Sequence, residues 1–402
     1  MSAPPLSCPD TVLPAPAAWG GVFALSLGAF ALVAAEFMPV SLLTQVAADL
    51  HVSPGQAGQA IAVSGAFALV TSLAIAPLAG KLDRKLLLLA LTLMMMVAGT
   101  VTACAPDFAV FMVGRACIGV AIGGFWSMSA ATAMRLVPAG QVPKALAIVN
   151  GGNALATVVA APLGALLGAA VGWRGAFFSI VPVAALALGW KLLSLPAMPG
   201  ASRPGSGNPF KLLKRAPVAL GMAAVSVFFM GQFALFTYLR PFLETVTHAG
   251  AAMTSLMLLI IGGAGLAGTM LIGGMLKQAL YRTVIAIPLI MAALALALIA
   301  WGSHAAVTAI LLGAWGLVAT AAPVGWWTWL ARTLPDDAEA GGGLMVAVVQ
   351  LAIAAGAGIG GILFDRLGYA ASFTASAAIL LLAGVLAVLA ARAAHYPLTS
   401  RK

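Results

Sequence analysis

The 402-residue sequence predicts an all-α membrane protein, with twelve transmembrane helices in two pseudo-symmetric six-helix bundles. Three observations carry this expectation. Only 7% of residues are charged and 62% are hydrophobic, with mean hydropathy +1.08. A soluble domain carries about 25% charged residues, so this chain lacks the groups for a water-facing surface. Apolar runs of about 20 residues, the length that crosses a bilayer, recur twelve times. The second set of six repeats features of the first at a fixed offset.

The first six runs are 19–43, 56–80, 86–105, 108–134, 144–170 and 174–195. The second six are 216–240, 253–276, 283–302, 305–331, 342–364 and 371–392. Residues 196–215, PAMPGASRPGSGNPFKLLKR, break the series and read as a cytoplasmic linker between bundles 19–195 and 216–392. Residues 1–18, rich in Pro and Ala, read as a disordered tail, and 393–402 as a cytoplasmic tail. The first Lys or Arg is Lys81, so no basic region of a secretory signal precedes the first span.

The net charge of +10 raises nucleic-acid binding, but the basic residues sit in short connections on one side. With both termini cytoplasmic, sixteen of the twenty Lys and Arg, Lys191 among them, fall in inner connections. The exceptions are Arg115 inside span 4 and Arg174, Arg240 and Arg366 at outer ends. That asymmetry sets the orientation and accounts for the charge without a nucleic-acid partner. Cys8, Cys104 and Cys117 form no spaced framework, so no structural disulfide, metal site or cofactor is expected.

An offset of 196 residues aligns Gly164 with Gly360, Gly172 with Gly368, Trp173 with Tyr369 and Phe177 with Phe373. It also sets Glu36 against Gln232, each followed by Phe. Two parallel six-span repeats place a central site between the halves.

Several segments carry a family resemblance. GKLDRK (80–85) resembles, in shortened form, a loop signature of the major facilitator superfamily. An Asp beside a helix N-terminus can bind backbone N–H groups and an Arg across an interface, so Gly80, Asp83 and Arg84 become candidates for an inner gate. Plain positive-inside topology explains the same residues. GRACIGVAIGGFW in span 4 resembles that superfamily's Arg-x-x-x-Gly motif, and AAPLGALLG with GWRGAFF resembles its antiporter motif. There Pro162 and Gly164 would allow close helix contact and bending, although Ala161 stands where Gly is usual. EFMPVSLLTQVAADL, GQFALFTYLRPF and PVGWWTWLARTLPDDAE resemble the purine ribonucleoside exporters of the drug:proton antiporter branch. The resemblance runs from about Trp19 onward and implies proton-coupled efflux from a bacterial inner membrane by a monomer.

Glu36 is the only charge between Trp19 and Leu43. Burying a carboxylate in hydrocarbon is costly, so it should face the cavity, where it can load a proton on one side and release it on the other. Arg115 should lie at the same depth: Glu36 sits about 9 Å before the outer end of span 1, and Arg115 as far into span 4. Only Glu36 of the two can carry the proton, because Arg stays protonated. A permanent structural ion pair is the alternative.

Helical phase adds candidate substrate contacts: Trp126 and Ser129 on span 4, Asn150 and Asn153 with Thr157 on span 5, Gln232 and Phe236 on span 7, and Gln350 on span 11. An aromatic face with amide groups suits a purine nucleoside. It suits a sugar or a flat hydrophobic drug as well, and packing explains many of these residues. A sensor that has lost transport is a further reading. Hydrolytic motifs, a nucleotide-binding Gly loop and a metal cluster are absent from the sequence, which argues against an enzyme or a primary pump.

Overall fold

The computed structural model describes residues 17–79, 82–138, 141–199, 209–334 and 338–395. Among them the regular elements are helices, as lipid requires, because a helix satisfies its backbone groups within one segment. The first half comprises α1 (Trp19–Asp49), α2 (Pro54–Ala79), α3 (Arg84–Ala103), α4 (Phe108–Leu136), α5 (Val142–Phe178) and α6 (Ile180–Ser194). The second comprises α7 (Ala216–Phe236), α8 (Leu239–Thr245), α9 (Ala251–Trp301), α10 (Ala305–Ala319), α11 (Ala322–Thr333), α12 (Ala338–Leu367) and α13 (Tyr369–His395).

Twelve spans emerge once the breaks are read. α5 turns at Gly172 (φ 74°), so it holds span 5 and the start of span 6, which α6 completes. α9 is broken at Ala279 and holds spans 8 and 9. Span 7 is α7 plus the short α8, and span 10 is α10 plus α11. The repeat seen in sequence reappears in the backbone. Gly172 and its counterpart Gly368 both adopt left-handed φ, 74° and 81°. His51 and His248, in the first turn of each half, do the same at 54° and 55°. A left-handed residue is costly except for Gly and a few polar types, so its recurrence marks a shared turn geometry.

Part of the expected linker is ordered: residues 209–214 form a 3-10 turn, and Leu212 joins the second half's core. Ala17 and Ala18 pack on the first half, so that stretch of the expected tail is docked. Residues 1–16 and 396–402 lie outside the described residues, as does Gly80 of the proposed gate.

Both ends of the described chain lie at one end of the bundle, called here the near end. Among the described residues, contacts between halves cluster toward the opposite, far end. Val40, Ile61, Ala161 and Ala165 of the first half join the second half's core, and all lie in the far parts of their helices. Tyr238 and Phe364 of the second half pack in turn with the first. Small residues permit this closeness. Gly262 of α9 lies against the backbone of Val158, where a Cβ would collide with the main chain. The Val158 carbonyl is the one that Pro162, lacking an N–H, leaves without its helical donor. Pro162 itself accepts a hydrogen bond from Ser255 Oγ across the halves (3.0 Å). Gly164 instead faces Met38 and Ser41 of α1, within the first half.

Candidate functional site

The centre of the site is a proline-broken helix. α1 contains Pro39, which has no N–H to give the Ala35 carbonyl. Arg115 of α4 supplies the missing donor: Nη1 reaches Ala35 O at 2.8 Å. Nη2 points to Glu36 O and to Ser64 Oγ (3.4 and 3.3 Å), and Nε to Ala60 O (3.4 Å). The guanidinium is 1% exposed. Its rigid fork therefore ties α1, α2 and α4 together at the depth of Glu36.

Sequence reading anticipated that shared depth but pictured an ion pair. Here Arg115 binds the backbone of Ala35 and Glu36. The ion pairs among the described residues are Arg174–Asp49 and Arg240–Glu244. Glu36 is 7% exposed and is the only buried acid among the described residues. Gln350 of α12 lies near it across the halves, with no hydrogen bond between the two side chains among the described residues. Gln350 is thus placed beside Glu36, and its own Oε1 has no protein partner.

Beside Phe37, the residue after Glu36, lies a cavity of about 90 Å³ between the halves, whose walls include neither Glu36 nor Gln350. Phe37 of α1, Thr157 and Val158 of α5, Gln232, Phe233 and Phe236 of α7, and Trp315 of α10 are among its walls. Gln232 Oε1 and Trp315 Nε1 are buried there without a partner, one an acceptor and the other a donor. Such orphans inside a protein cost about 1–3 kcal/mol each, which a bound polar group would offset. Phe37 and Phe233 stack with centroids 5.9 Å apart. Their common position after Glu36 and Gln232 was visible in the repeat, and that signal could have placed them at the interface. Trp315 was missed, because one Trp in an apolar run has no pattern to mark it.

The remaining candidates are dispersed. Trp126, like Phe30 and Phe37, packs on the small cluster of Val33, Ala34, Ala156 and Ala160. Ser129 is 3% exposed and donates to Trp126 O of its own helix, so it is taken up by local bonding. Asn150 is exposed and donates to Leu146 O (3.0 Å), also on its own helix. Asn153 is half-buried and does not line the cavity. Lys191 was expected in a near-end connection. It is 1% exposed inside the first bundle, because α6 runs on past it and its chain turns inward. There Nζ donates to Thr92 Oγ1 (2.8 Å) and lies 5.2 Å from the Phe125 ring centre.

Asp83 caps its own helix α3 at Lys85 N (2.7 Å) and accepts from Met198 N (3.1 Å), both in the first half. Among the described residues, the bonds of Asp83, the inner-gate candidate, stay within the first half. Asp83→Ala should lower the thermal midpoint by removing about 1 kcal/mol of capping, whereas Asp83→Asn, itself a good cap, should not. Equal midpoints for the two variants would show that the cap contributes nothing.

Comparison with known proteins follows the same lines. The Major Facilitator Superfamily pattern matches residues 25–357. A Pseudomonas aeruginosa protein named transcription regulatory protein OpdE is 61% identical over 378 residues, covering 93% of this chain and 94% of that one. The Salmonella paratyphi B purine ribonucleoside efflux pump NepI is 39% identical over 381 residues, 95% of this chain and 96% of the pump. Two solved structures share the fold. A D-xylose-proton symporter has TM-score 0.70 at 15% identity, with 92% of this chain and 97% of that one covered. The human organic anion transporter MFSD10 has TM-score 0.65 at 19% identity, with 92% and 100% covered. With the pattern matched over most of its length and two repeated six-span halves, this multi-pass membrane protein belongs to the Major Facilitator Superfamily of transporters.

Proposed function

We propose that the protein is a proton-coupled exporter of purine ribonucleosides and related purines, working by alternating access as a monomer in a bacterial inner membrane. The observation that carries this reading is the central cavity. Gln232, Trp315 and phenylalanine faces line it, and each of the first two carries a buried polar atom without a protein partner, Gln232 Oε1 and Trp315 Nε1, which a turn of the side chain would bring to a ligand. A purine presents donors and acceptors on its edge and a flat face for stacking. The relative named a purine ribonucleoside efflux pump supports the substrate class. With both termini cytoplasmic, a seal at the far end makes this an inward-facing arrangement. Glu36, near Gln350 of the second half, is the proton carrier, and Arg115 holds the helix that presents it.

Truncating one of the two orphans leaves a ligand atom unpaired, which costs about 1–3 kcal/mol, or roughly 5- to 150-fold in affinity. Gln232→Ala and Trp315→Phe should each weaken inosine binding by that factor and spare a lipophilic cation. Asn153→Ala, outside the cavity wall, should do less. The deciding experiment is a binding and vesicle-transport panel of inosine, guanosine, arabinose and a lipophilic cation. Transport of arabinose without any nucleoside would assign the cavity to sugars, and transport of the cation alone would assign it to drugs.

A second reading comes from the relative named a transcription regulatory protein. The chain would then be a membrane-held sensor, binding a ligand without moving it. Both readings predict inosine binding, and only transport against a gradient separates them.

A further inference from the structure

At the far end, α2 begins with a capping box. Ser53 Oγ accepts from Gln56 N (3.0 Å) and Gln56 Oε1 accepts from Ser53 N (2.9 Å). Pro54 follows, where a missing N–H does no harm. This leaves Gly55 N and the Ser53 hydroxyl proton free to donate. Both go to one carboxylate of the other half: Asp365, in the last turn of α12, accepts from Gly55 N at 2.8 Å and from Ser53 Oγ. A Cβ on Gly55 would collide with that carboxylate and with the Gly361 carbonyl.

Beside this contact, Tyr238 at the end of α7 is fully buried between α2 and α12. Its hydroxyl donates to Ala357 O (2.7 Å) and lies 3.4 Å from Gly55 O, while its ring stacks on Phe364 at 5.3 Å. A Cβ on Gly58 or Gly361 would strike the same side chain. Gln59 Nε2 adds a bond to Gly358 O (3.3 Å).

We infer that Asp365 is the latch of the far gate: it caps α2 from the opposite half, with Tyr238 as the bolt behind it. An anion on a helix N-terminus is a favourable, directional contact, and this one exists only while the halves are closed there. Opening the far end strips α2 of that anion and draws Tyr238 out of its slot. Among the described residues, Asp83 at the near end bonds within its own half, whereas the far carboxylate spans the interface. The inference rests on alternating access and is independent of substrate.

The test is a far-end distance measurement on the full chain in lipid nanodiscs without substrate. Spin labels are placed at Ala48→Cys and Leu367→Cys, both exposed, after replacement of the three native cysteines. The parent should give mainly the short distance. Asp365→Ala should raise the ratio of long to short population by roughly 2- to 30-fold, the span of measured cap losses. Asp365→Asn, which keeps one acceptor without the charge, should fall between, and Ser53→Ala and Tyr238→Phe should shift the ratio the same way. These are surface or near-isosteric changes, so at least one variant will report if another fails to fold. Unchanged distributions in the variants, or a parent already dominated by the long distance, would overturn the latch. A chain that shows the shift but transports no nucleoside would keep the latch and lose the substrate assignment.

Discussion

Vesicles carrying Glu36→Gln are expected to lose gradient-driven accumulation of nucleoside while still binding it. One pH unit is worth about 1.4 kcal/mol per proton. An exchanger moving one proton per substrate therefore concentrates it about tenfold against such a gradient, and an uncoupled one reaches a ratio of about one. Glutamine keeps the size of Glu36 and its place near Gln350, so the change isolates the titratable proton. The expectation follows from position. Glu36 is the one buried acid among the described residues, its neighbour Phe37 lines the cavity, and Gln350 of the opposite half lies near it. Its protonation state is thus seen by both bundles. Accumulation by the Gln variant equal to the parent's would remove Glu36 from the coupling mechanism. Loss of inosine binding along with transport would mean that the residue belongs to the substrate site instead.

The second large effect is expected at Arg115. Arg115→Met should strip the Ala35 carbonyl of its donor in a dry interior and cut the ties from α4 to Glu36 O, Ala60 O and Ser64 Oγ. At about 1–3 kcal/mol for each unsatisfied group, the variant should lose several kcal/mol and much of its folded yield. Arg115→Lys should also be weak, since a single ammonium cannot fork to α1 and α2 together. The mechanism makes a sharper claim. Pro39→Ala returns an N–H to position 39 and so supplies the Ala35 carbonyl from within the helix. Placed on Arg115→Met, it should recover about 1 kcal/mol, read as a coupling in a double-mutant cycle of thermal midpoints. Strictly additive effects would show that Arg115 does not act through the proline break. Rescue of Arg115→Met by Glu36→Gln, with none by Pro39→Ala, would show that Arg115 acts mainly through the charge of Glu36.

Sequence alone determined the solvent and the repeat. Twelve apolar runs with 7% charge leave no other class, because lipid forces each run to satisfy its own backbone. The 196-residue offset paired Gly172 with Gly368, and the structure gives both a left-handed φ, which only a few residue types occupy. It marked Glu36 as costly, and so worth explaining, from local composition. Tertiary structure decided the partnerships. Arg115 could pair with a carboxylate or cap a carbonyl at the same depth, and Pro39 tipped the choice by freeing Ala35 O. Lys191 could point to water or into the bundle, and Thr92, Phe125 and the space over Gly28 drew it inward. Trp315 and Asp365 drew no notice in sequence because their meaning lies in atoms far along the chain: an unpaired indole N–H beside Gln232, and a helix N-terminus 310 residues away. Helical period and depth are properties of a segment and can be read along it. Which donor meets which acceptor depends on how the two halves close, and that is settled only when they pack.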